Sequence, residues 1–244
     1  MDHLVGVSNY DGDRDGLAGK PHVGDYQSVD WEKLIPLQAQ ILLVQYAADR
    51  LPPELVDQAA ENHLQLLNMQ LNTLADIRRE LQTLATALGD SPRGEKAVND
   101  LNAQLDGVGA QTSHLPTVSA IIVVGESGLG VAGPGTFLDE LLTIAGGRNC
   151  AKATGKPYPA IDRETLAGWN PQVIIQLIPD GDQSPQELAA AQTFWASQPQ
   201  LDAVRNKRIV TITSWYALEP GFRVGHLCQQ FASALHPEYK SQSK

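Results

Sequence analysis

Cysteine is nearly missing: Cys150 and Cys228 are the only two in 244 residues, and neither lies in a CxxC or Cys/His spacing. Neither a disulfide framework nor a zinc site is therefore written in the chain. Long apolar runs are missing too; the longest, "SAIIVV" at 119–124, is far below the ~18–20 residues that span a bilayer. There is no basic block. Lys and Arg number 18 against 28 Asp and Glu, a net charge of −10, and the cations are scattered, which argues against a surface that neutralises nucleic-acid phosphates. The start, "MDHLVGVSNYDGD", lacks a basic segment followed by an apolar stretch, so no export signal is read in the chain as given. The six histidines (3, 22, 63, 114, 226, 236) form no HExxH, and Ser127 in "GESGLG" lacks the GxSxG spacing of a nucleophile elbow. No catalytic residue and no resident metal site is assigned.

Hydrophobic residues make up 42% and charged residues 19%, an ordinary globular balance. The length suits one large domain or two lobes. "HLVGVS" (3–8) reads as a strand before a Gly/Asp-rich loop. Helix 31–38, strand 40–46, helix 52–63, strand 64–69 and helix 72–89 follow, and the alternation predicts an α/β sheet. Residues 91–111, opened by Ser91-Pro92, form a helix of about 30 Å at 1.5 Å per residue, long enough to bridge two lobes. Alternation then restarts: strand 117–124, helices 135–146 and 162–169, strand 171–178, helix 184–197, strand 207–213 and helix 221–235. The expected architecture is two Rossmann-like α/β lobes, 1–90 and 112–244, joined by the helix 91–111.

An internal repeat is the most informative feature. "YQSVDWEKLIPLQAQILL" from Tyr26 and "YPAIDRETLAGWNPQVII" from Tyr158 align without a gap at an offset of 132. Each copy has a loop Tyr, then an Asp placed to cap a short helix (Asp30, Asp162), then a Glu at the positive end of that helix (Glu32, Glu164), then an apolar strand. One copy per half implies related lobes with the tyrosines and glutamates at corresponding places.

With "LVGVSNY", "GPGTFLDELLTIAGGRN" and the closing "SWYALEPGFRVGHLCQQFASAL", these segments resemble the cobalamin, siderophore and haem substrate-binding proteins of ABC importers, over nearly the whole chain. The resemblance is strongest to the cobalamin-binding members. It implies two α/β lobes joined by one rigid helix (the class III binding-protein type), modest closure, a monomer in the periplasm or another extracytoplasmic space, and no enzymatic activity. It further implies a bulky metal chelate, cobalamin first and a ferric siderophore or haem otherwise, held between the lobes. Tyr10, Tyr26, Tyr46 and Tyr158 fall where that family places pocket aromatics, with Trp215, Tyr216 and Arg223 as further ligand-binding positions. Glu32 and Glu164 match the paired carboxylates that dock on arginines of the importer's membrane subunits. A loop histidine such as His22 would be the axial ligand if the chelate's metal takes one.

The family normally begins with an export or lipid-anchor segment, then a strand and helix ahead of the element matched by "LVGVS", so a truncated gene model is expected. Without a leader, a cytosolic corrinoid or haem sensor or chaperone on the same fold is the alternative. A dinucleotide-dependent enzyme is the third reading, from the formal match Gly128-Leu-Gly130-Val-Ala-Gly133 after a strand. Against it, Pro134 and Gly135 delay the next helix, and the stretch near 150 offers neither an acid nor a strand. The glycines are instead expected to let the backbone approach a ligand.

Overall fold

The computed structural model describes residues 3–11, 16–124, 129–178 and 185–240, with backbone alone for 185–188. The chain forms two compact units, 1–71 and 72–244.

In the first unit the expected strand at 3–8 reduces to one parallel bridge, Val7 to His22. Val7 donates to the Pro21 carbonyl at 2.9 Å and accepts from the Val23 amide at 2.9 Å. The next rung would need an N–H on residue 21, and proline has none. Helix α1 (Trp31–Leu34) continues as a 3₁₀ turn through Leu37 and ends at Gln38 in the left-handed region. Strand β1 (Ile41–Val44) pairs in parallel with β2 (Gln65–Asn68), and α2 (Pro53–Glu61) connects them. Leu34, Leu42 and Leu55 form the small core beneath, flanked by Trp31, Tyr46 and Leu66.

The second unit opens with α3 (Leu74–Ala87), where Thr73 and Asp76 form a reciprocal capping box. Gly89 turns the chain with φ +74°, and α4 (Ser91–Thr112) starts under the Asp90 cap. The second unit takes in both helices of this pair because α3 packs along α4, with Gly94 pressed on Ala85. Helix α4 itself runs unbroken for 22 residues.

Four parallel strands make the sheet, in the order β4-β3-β5-β6: β3 (Val118–Val124), β4 (Gly147–Asn149), β5 (Val173–Leu177) and β6 (Ile209–Ile212). All of β5 and all but the last residue of β3 are buried, as the apolar runs of a sheet covered on both faces require. Helices α5 (Phe137–Ile144) and α9 (Val224–Leu235) pack together and against α4, while α6 (Arg163–Trp169), α7 (Pro185–Ala196) and α8 (Asp202–Arg205) complete the unit. Leu166, Ile121, Ile174, Trp195 and Leu201 share one core, and buried Trp195 donates its indole N–H to Gln176 at 2.9 Å. The α/β class with parallel sheets stands as expected. Strand β4 was not: a Gly-Arg-Asn triplet has no apolar alternation, and only its pairing with Val118–Ala120 makes it a strand.

Candidate functional site

The two copies of the repeat fold alike. Asp30 accepts from the Lys33 amide at 3.2 Å, and Asp162 from the Thr165 amide at 2.7 Å. Those bonds hold both carboxyls below the usual range; at Asp30 the Lys33 ammonium, 2.8 Å away, is the leading cause. Each cap fixes a first turn from which Glu32 or Glu164 stands exposed, while Leu34 and Leu166 four residues past the caps are buried. The following strands, β1 and β5, begin 132 residues apart. Neighbouring charge differs: Arg163 lies over the Phe194 ring at 5.4 Å instead of pairing with its cap.

Three of the four tyrosines singled out by sequence are held in the open. Tyr10 and Tyr26 are 68% and 66% exposed, yet their rings meet at 5.6 Å between centroids with a 36° tilt. The Asn9 amide, bonded to the Gly24 carbonyl at 2.7 Å, ties the two loops together. Gly24 is obligatory there, with φ +135° and a Cβ that would run into the Ser28 carbonyl. Tyr46 differs: half-buried, it packs on the first unit's core, and its backbone is clamped by Asn68 (2.8 Å), the last residue of β2, and by Gln70 (2.7 Å) just past it.

In the second unit Tyr158 is 54% exposed on a loop that pairs with the segment after β3. The aligned ends Val124, Leu177 and Ile212 define the carboxyl edge of the sheet. Because β3 leads to β4 on one side and β5 to β6 on the other, this edge carries the topological switch where open α/β sheets bind ligands. Trp215 and Tyr216 lie three and four residues beyond Ile212, half-buried, in an edge-to-face pair at 5.6 Å. Arg223 stacks on both, and on Phe222, which is 57% exposed and which sequence reasoning passed over. An aromatic beside an arginine in a Gly/Pro turn was the available signal.

The glycine-rich match does not build a nucleotide site. Ser127 and Gly128 lie outside the described residues. After them the chain doubles back antiparallel to β3, with Val131 bridged to Val123, and α5 begins only at Phe137 under a Thr136 cap. A Cβ on Gly133 would strike the Lys156 carbonyl, and one on Gly130 the Val124 carbonyl, so at these two positions glycine admits neighbouring backbone. Among the described residues, no group of three or more His, Cys, Asp or Glu is placed to hold a metal. His22 is exposed, its Nδ1 2.9 Å from the Ser8 carbonyl.

The sequence profile of the periplasmic binding proteins matches residues 1–216. The chain belongs to the periplasmic binding protein family. A vitamin B12-binding protein of Pectobacterium carotovorum is 24% identical over 215 residues, covering 87% of this chain and 73% of its own. The crystal structure of a haem-binding periplasmic protein of Vibrio cholerae superposes with a TM-score of 0.80 at 18% identity, covering 96% and 91%. An ABC transporter substrate-binding protein from Listeria monocytogenes gives 0.77 at 19% identity, covering 98% and 94%. As a member of that family the chain is a binding protein and not an enzyme. No helix among the described residues is long and apolar enough to cross a membrane.

Proposed function

We propose that this chain is the periplasmic, monomeric binding component of an ABC importer that captures a bulky metal chelate, cobalamin first, and delivers it to the permease. The observation that carries the reading is the Tyr10–Tyr26 pair of the first unit, two touching rings left more than half exposed on a folded protein. A flat, conjugated ligand with amide fringes recovers that area while the hydroxyls keep polar partners. Haem and ferric siderophores offer similar flat or aromatic surfaces and are the alternatives. Glu32 and Glu164, exposed on capped helix starts, are suited to meet guanidinium groups of the membrane subunits in bidentate geometry.

Titrating the purified protein with cyanocobalamin, haemin and a ferric catecholate siderophore, read by tryptophan quenching, tests this. Saturable quenching by one of the three is expected. Absence of saturation with all three defeats the reading.

A further inference from the structure

The two edges of the four-stranded sheet are finished differently. At one, β4 is three residues long with the exposed Arg148 at its centre, and shortness and charge both discourage a further strand. At the other, β6 and the residue after it carry neither proline nor charge: every residue from 209 to 213 is β-branched, a composition suited to strand pairing. The inner side of β6 is occupied, for the Arg208 and Ile212 carbonyls accept from the Ile174 and Ile178 amides at 3.0 Å each. Alternate residues of a parallel strand turn their backbone groups to opposite sides, so Ile209, Thr211 and Thr213 aim theirs outward. No backbone group among the described residues meets them there.

This edge opens into a groove. A cavity of about 570 Å³ lies between residues 210–213 and a flank of α9 that includes His226, Gln230 and Ser233, and it reaches Tyr216. Gln230 donates from Nε2 to the Ser214 hydroxyl at 2.9 Å, which fixes its amide, and its Oε1 is buried without a hydrogen-bond partner. A buried acceptor left unpaired is uncommon and costs free energy until a donor arrives. One wall therefore presents the free backbone groups of a strand, and the other a fixed acceptor. An extended polypeptide carries N–H and C=O groups at the matching two-residue repeat, along an edge of about 16 Å for five residues. No Asp, Glu, Lys or Arg among the described residues lines the cavity, so a charged side chain inside it would lack a counter-ion. The net charge of −10 attracts a cationic partner at longer range.

We infer that the β6 edge and α9 form a docking groove for a partner polypeptide, which adds a segment of about five uncharged residues flanked by lysine or arginine as a fifth strand of the sheet. The groove lies wholly within the second unit, and filling it requires no bound chelate.

The probe is the fluorescein-labelled peptide KKVTVTVKK, titrated into the intact chain by anisotropy. Saturable binding is expected, with amide exchange of Ile209, Thr211 and Thr213 slowed about tenfold or more by NMR. An added strand uses one of its two edges, so N-methylation of the peptide's valines and N-methylation of its threonines should differ, one abolishing binding and the other sparing it. Thr211→Pro removes an outward N–H and leaves the rungs to β5 in place, and it should weaken binding about fivefold or more. Gln230→Leu, which removes the orphaned acceptor, should weaken it about threefold to tenfold and serves if the proline variant does not fold. Absence of saturation with wild-type protein overturns the inference, as does undiminished affinity in folded Gln230→Leu or equal binding of the two N-methylated peptides. Protection of the Thr211 amide that rises with protein concentration alone assigns the groove to a second copy of the chain and overturns it too.

Discussion

Removing the Tyr26 ring tests whether its exposure serves binding or is incidental. A tyrosine side chain offers about 150–250 Å² of surface. Tyr26 is 66% exposed and touches Tyr10 in a tilted pair, so most of its ring is not committed to the fold. A flat ligand covers one face, about 50–80 Å², which at about 25 cal/mol per Å² is about 1–2 kcal/mol, or roughly fivefold to thirtyfold in affinity. The fold loses far less: an aromatic pair contributes about 0.5–1.5 kcal/mol, and this one is largely solvated. Tyr26→Ala should therefore weaken ligand binding by that factor, measured by quenching titration, while the urea midpoint moves little. Tyr26→Phe should keep most of the affinity, since the hydroxyl's partner is the neighbouring Gln27 amide at 3.1 Å and the ring face is unchanged. Unaltered affinity in folded Tyr26→Ala refutes the assignment, as does a stability loss large enough to account for the weaker binding.

Replacing Glu32 and Glu164 together by Gln should leave ligand affinity within about twofold, since both side chains are exposed on helix starts, and should impair uptake in reconstituted vesicles. Equal loss of affinity would move these acids from docking to the ligand. Gly133→Ala should destabilise the second unit by about 2 kcal/mol or more, read as a lower urea midpoint, because its Cβ meets the Lys156 carbonyl and not a flexible side chain. Burial pushes the Cys228 thiol up to about 12. The folded state then holds a proton that the unfolded chain releases near pH 9, so stability falls as pH rises from about 9 to 12, by up to about 1.4 kcal/mol per pH unit. Urea midpoints of wild type and Cys228→Ala should diverge over that window; parallel profiles would contradict the burial.

Nearly every element that carries a site residue was legible from local chemistry. Asp30 and Asp162 announce their helices by cap preference, and Leu34 and Leu166 follow at the spacing that places them on the buried side of the first turn. The apolar run of β5, buried at every position, needs no partner to be recognised as a covered parallel strand. Strand β4 and the return of the chain at 129–131 were not legible, because neither has a periodicity of its own.

The order of helices and strands, the duplicated Tyr-Asp-Glu element and the candidate residues were thus determined by the sequence alone, since caps, periodicity and repeats act over a few positions. Tertiary structure decided which strands lie side by side, that Tyr10 stacks on Tyr26 across a loop, and that Arg223 is wrapped by Trp215, Tyr216 and Phe222. Those outcomes depend on segments distant in the chain meeting in space. Pairing of that kind is set by how all buried faces are satisfied at once, which no local pattern encodes.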